Sequence, residues 1–204
     1  GQSASILMRG SGASNTLVLI DGVRIGSATL GQTDLAAISL AQVDRIEIMR
    51  GPGSSLYGAD AIGGVINIIL RQPGDTWAGS AMLEGRQAID ERGGDGQRVA
   101  ARVAGPLGEQ FRLGVTLSDV RLESVDSEAD ALISEIEDRE KRDALVQLAW
   151  LPAAGQLVEA EYWVGREERW AKARERGGRK RYYETLTDLD RGHASLGWAA
   201  RWGG

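Results

Sequence analysis

The stretch Arg45-Ile-Glu-Ile-Met-Arg-Gly-Pro-Gly-Ser-Ser-Leu-Tyr-Gly-Ala-Asp-Ala-Ile-Gly-Gly-Val-Ile-Asn-Ile-Ile69 most restricts what this chain can become. Ile46 and Ile48 alternate with Arg45 and Glu47 as a strand enters it, and an apolar strand, Val65 to Leu70, leaves it. Between them Gly51, Gly53, Gly58, Gly63 and Gly64 permit tight turns and close backbone approach where a Cβ would clash. Gly51-Pro-Gly53-Ser-Ser superficially resembles a phosphate cradle. No Gly-Lys-Ser/Thr follows it, and the glycines lead into a strand rather than a helix, so nucleotide binding is rejected.

A matching piece lies upstream. Leu17-Val-Leu-Ile-Asp-Gly-Val-Arg24 is an apolar strand broken at Asp21-Gly22, a tight-turn dipeptide in which glycine supplies positive φ. Ile6-Leu-Met is a second short apolar run bounded by small residues. Leu35, Ile38 and Ala41 carry helical spacing behind Asp34, a candidate N-cap, so one helical turn is expected between about 34 and 42. Pro73-Gly74 reads as a boundary.

From Trp77 onward the period is two. Val99, Ala101 and Val103 oppose Arg98 and Arg102, and Phe111, Leu113, Val115 and Leu117 alternate with Arg112, Gly114, Thr116 and Ser118. Ala144 to Trp150, Val158 to Val164 and Ala194 to Trp202 repeat the pattern, and Trp77 to Glu84 repeats it weakly, which makes six candidate strands. The links 105–110 and 152–156 are short, whereas 86–96, 123–141 and 167–190 are long and charged. Short turns at one end and long loops at the other match outer-membrane barrels, with Trp150, Trp198 and Trp202 suited to an interfacial aromatic girdle. A soluble antiparallel sheet with one polar face gives the same alternation.

Composition narrows the classes further. A net charge of −5 implies no general attraction to nucleic acid, and the absence of cysteine removes thiolate metal sites and cysteine nucleophiles. No apolar run approaches the ~20 residues of a spanning helix, which leaves barrel strands open. His193 is the sole histidine, expected on an inward strand face with no nucleophile–base partner, so hydrolase chemistry, a histidine metal site and bound cofactors are not expected.

Together the two N-terminal blocks resemble the plug domain of TonB-dependent outer-membrane receptors, with an order and spacing most similar to the cobalamin receptor branch. The likeness covers roughly residues 3 to 72 and rests on Asp21, Gly22, Arg50, Gly51, Pro52, Tyr57, Gly58, Gly63, Gly64 and Asn67. It implies a mixed α/β plug domain over 1–73, truncated at its N-terminus, followed over 74–204 by about the first six antiparallel strands of a transmembrane β-barrel. The chain is thus expected to be a fragment with a partial barrel. A barrel of about 22 strands has a lumen wide enough to need filling.

The resemblance also implies function. A nutrient chelate, cobalamin or a ferric siderophore, would be bound outside the cell and moved through the outer membrane by plug rearrangement. The TonB complex would supply the energy through a segment expected to lie before Gly1, and outer-membrane lipid would surround the barrel. Ligand contacts carried over by position fall on Gln2, Ser3 and Ala4 and on Thr29, Leu30 and Gly31. Plug arginines at the Arg50-Gly-Pro motif would meet wall carboxylates, with Glu159 and Glu161 inward-facing by period. The acidic segment Glu123 to Glu140 reads as a solvated loop, with calcium as its alternative by analogy with outer loops of the cobalamin branch. The basic segment Arg166 to Arg181 reads as a solvated charge run, with an anionic ligand or lipopolysaccharide as its alternative.

Overall fold

The computed structural model of the protein describes residues 16–24, 40–50, 61, 63–89, 92–127, 132–174 and 182–200. They fall into two compact units that divide between Arg71 and Gln72.

The N-terminal unit is a four-stranded sheet of β1 (Thr16–Ile20), β2 (Val23–Arg24), β3 (Val43–Arg50) and β4 (Gly64–Leu70), in the order β2-β1-β4-β3. β1 runs parallel to β4, with Leu17 opposite Val65 and Leu19 opposite Asn67, while β3 is antiparallel to β4. As a central strand β4 buries Val65, Ile66, Ile68 and Leu70 on both faces, which is why its sequence is nearly continuous in apolar residues. Leu17, Leu19, Ala61 and Val65 form the core cluster.

Leu40–Gln42 is a 3-10 turn leading directly into β3, and Asp34 lies outside the described residues. Among the described residues there is no α-helix, so the mixed α/β expectation for this unit is met only in part.

The C-terminal unit is a six-stranded antiparallel sheet. Its strands are β5 (Ala78–Arg86), β6 (Gly96–Pro106), β7 (Phe111–Leu122), β10 (Asp138–Trp150), β11 (Gln156–Arg174) and β12 (Tyr182–Ala200), each paired with the next. A small hairpin, β8 (Val125–Asp126) with β9 (Ser134–Ile136), stands between β7 and β10. The sheet is not closed: β5 and β12 are its edges.

Register sorts the side chains into two faces. Val103, Val115, Val146, Tyr162 and Ala194 stand in one cross-strand row, and Leu113, Leu148, Ala160 and Leu196 in the next. This apolar face is exposed, with Leu117 at 55 %, Tyr162 at 56 % and Leu196 at 78 %. Arg102, Thr116, Leu145, Trp163 and His193 form a row on the opposite face, as the period predicts for His193. At the short-turn end Phe111 stacks on Trp150 with centroids 6.1 Å apart, and Trp198 shares their row through Val158.

Two expected loops are largely strand. β11 and β12 are 19 residues each, so 167–174 and 182–190 of the expected link are strand. The basic run from Arg166 is mostly ladder for the same reason. Charges occupy both faces there, which erases the hydropathy alternation, but pairs across the ladder such as Arg191 with Glu167 and Arg166 with Asp188 hold the strands together. The acidic link over 123–141 likewise contains β8 and β9 and the start of β10.

Candidate functional site on the polar face

In the N-terminal unit three motif residues converge. Asp21 (φ 46°) and Gly22 (φ 80°) are both left-handed and close a two-residue hairpin between Ile20 and Val23, the geometry that asks for Asp-Gly. The Gly22 N–H donates to Asn67 Oδ1 at 2.9 Å, and the Leu70 N–H donates to Asp21 Oδ1 at 3.0 Å. The hairpin is thereby locked onto β4, so Asn67 serves the turn rather than the core. Gly64 opens β4 at φ 148°, opposite Arg50, and Gly63 beside it is buried. Arg45 on β3 pairs with Glu47 at 2.9 Å and Asp44 at 3.2 Å, and the Glu47 hydrogen bond is the largest influence raising its pKa above the ordinary value. Gly51, Pro52, Tyr57 and Gly58, and the ligand positions Gln2, Ser3, Ala4, Thr29, Leu30 and Gly31, lie outside the described residues.

In the C-terminal unit the polar face carries two networks. The first lies toward the short turns. Arg102 Nη1 donates to Thr116 Oγ1 at 2.9 Å and to Gln147 Oε1 at 3.0 Å, and Gln147 Nε2 donates to Glu161 Oε1 at 2.7 Å. Gly114 leaves the room: a Cβ there would come within 3.2 Å of both the Arg102 guanidinium and the Gln147 amide oxygen. Glu159 and Glu161 are on this face, as their period predicts.

The second network lies toward the long connections. Glu167, fully buried, is ringed by arginines from three strands: Arg139 of β10 at 3.1 Å, Arg169 of β11 and Arg191 of β12. Lys141, directly opposite Glu167 in the ladder, pairs with Asp143 in the next row at 3.0 Å, and Ser118 donates to the same carboxylate at 3.4 Å. Gly165 again makes the space, since a Cβ would meet Asp143 Oδ1 at 2.5 Å. Buried charges of this kind persist only when paired and hydrogen-bonded.

Sequence reading missed most of the second network because Glu167 and Arg169 fell in a presumed loop. The signal was a charged period of two, Glu167 and Arg169, without an apolar partner face. Among the described residues no three acidic or histidine side chains are grouped to hold a metal ion, and Asp126 of the acidic segment instead pairs with Lys172 at 3.2 Å.

The chain thus carries a short four-stranded sheet followed by an open six-stranded antiparallel sheet with one apolar and one polar face. Residues 1–65 match the model of the TonB-dependent receptor plug domain. A vitamin B12 transporter, BtuB, of Photobacterium profundum is 46% identical over 110 residues, covering 53% of this chain and 17% of the relative. An iron-regulated outer membrane virulence protein of Vibrio cholerae is 40% identical over 122 residues, covering 56% of this chain and 19% of the relative. The siderophore receptor PirA from Acinetobacter baumannii superposes with a TM-score of 0.71 at 27% identity, over 79% of this chain and 25% of that one. The chain spans less than a fifth of the length of these curated relatives. The plug match over residues 1–65, the outer-membrane relatives and the shared fold together support a TonB-dependent receptor of the Gram-negative outer membrane.

Proposed function

We propose that the chain serves TonB-dependent uptake of a scarce nutrient chelate, cobalamin or a ferric siderophore, with the N-terminal unit gating the lumen and the polar face of the sheet lining it. The observation that carries this reading is the two-faced sheet directly behind a plug-type sequence. One face carries an exposed apolar band, as lipid contact requires, and the other is charged and hydrogen-bonded, as a polar barrel interior requires. No bond of the ligand is broken; the work is binding, gating and coupling to TonB at the inner membrane.

Relatives on both sides of the choice exist, the B12 transporter and the siderophore receptor.

The test is accumulation of labelled cobalamin and of labelled ferric siderophores by cells carrying the full-length protein, with and without TonB. TonB-dependent accumulation of one ligand supports transport and names its class. Binding without accumulation shifts the reading to an outer-membrane receptor that binds or signals without transport.

A further inference from the structure

Residues on either side of the boundary between the units are each hydrogen-bonded within their own unit. On the plug side Arg71 is held twice: its backbone N–H donates to Gln42 O at 2.9 Å, and its Nε donates to Val43 O at 3.0 Å. The next residue, Gln72, already belongs to the barrel-wall unit. Its Nε2 donates to Glu161 Oε1 at 3.3 Å, and its Oε1 accepts from Gln147 Nε2 at 3.4 Å. Three residues on, the Asp75 carboxylate binds the Arg112 guanidinium through two nitrogens, at 2.6 and 2.7 Å. Trp77 then fills the space over Gly105, where a Cβ would come within 2.4 Å of the indole.

The three fastenings differ in kind. Gln72 meets the polar face, Arg112 is on that face at the short-turn rim, and Gly105 is on the apolar face, in the row of Leu113 and Leu148. The segment therefore passes from one face of the wall to the other around its rim before entering β5. A flexible tether would be fastened nowhere along its length. This one is fastened at nearly every second residue.

We propose that residues 72–77 are a fixed strap that stays on the wall through the transport cycle, with Gln147 as the residue that positions its first point. Gln147 suits the role because it is 1 % exposed and clamped by Arg102, so its amide is aimed before Gln72 arrives. Lifting Gln72 would take one hydrogen-bond partner from the buried Gln147 amide, which keeps its 2.7 Å bond to Glu161, and this opposes release. Rearrangement of the plug is then confined to residues upstream of Arg71, and force applied to the plug reaches the wall at Gln72. This inference rests on the transport reading above, and its test separates the two.

The test uses the full-length protein in cells, with the pair Asp75→Cys and Arg112→Cys joined by a thiol-cleavable bismaleimide. The strap predicts that ligand accumulation with the link intact equals accumulation after cleavage. Accumulation lost while linked and restored by cleavage overturns it. A second readout needs no transport: cross-linking yield is expected to be the same with TonB energised and with TonB absent, and a fall on energising overturns the strap. If no ligand accumulates in the parent protein the transport reading fails, while the yield comparison still decides the strap. Gln147→Ala is expected to lower the yield, and Glu161→Gln, which keeps an acceptor oxygen for Gln147 and Gln72, is expected to preserve it. Equal yields in the two variants would remove Gln147 from its positioning role.

Discussion

Asp21, Gly22 and Asn67 show how a motif can be a local mechanical device. Two left-handed residues close the turn, and the Asn67 amide oxygen takes the Gly22 N–H across 45 residues of sequence. Asn67→Ala is expected to cost about 0.5–1.5 kcal/mol, the range for a neutral hydrogen bond. Asn67→Asp, which keeps the oxygen, should cost less. Hydrogen exchange across β4 in the full-length protein measures both. Gly165 makes a second residue-scale case, because its hydrogen is what admits the Asp143 carboxylate. Gly165→Ala should destabilise the wall by about 1–3 kcal/mol through overpacking, read as a lower denaturant midpoint in detergent.

At the scale of elements, β10, β11 and β12 are joined by charge where they are no longer joined by apolar side chains. Glu167 receives one arginine from each of the three strands, so removing it leaves three guanidiniums crowded on a buried face. Glu167→Ala is expected to cost about 3–5 kcal/mol, the range for breaking a buried ionic pair by removing one partner. Glu167→Gln should fall between it and the parent. On the other face Val146 sits mid-row in the apolar band. Val146→Arg should cost about 2–4 kcal/mol in lipid and little in a soluble sheet. Unfolding in vesicles and in detergent separates the two environments.

For the whole molecule, the two edges of the six-stranded sheet dominate behaviour. Six strands cannot close around a lumen, and lipid satisfies no open edge. The isolated 204-residue chain is expected to aggregate, or to keep a native-like N-terminal unit beside a poorly ordered sheet. Gel filtration together with circular dichroism decides this, and a monomeric cooperative fold of all residues would contradict it.

The sequence by itself determined the elements whose chemistry is local. The Asp21-Gly22 turn was legible because only certain residues accept positive φ. The six strands and their two faces were legible because the side-chain period of a strand is two, and the apolar band keeps that period wherever lipid demands it. Tertiary structure alone decided the partners. That Asn67 serves Gly22, that Gln147 is held between Arg102 and Glu161, and that Glu167 gathers an arginine from each neighbouring strand all depend on strand register, which links residues 14 to 45 positions apart. The true length of β11 and β12 was hidden for the same reason. Ladder hydrogen bonds and cross-strand ion pairs stabilise those strands, and neither leaves a mark on the hydropathy of a single segment.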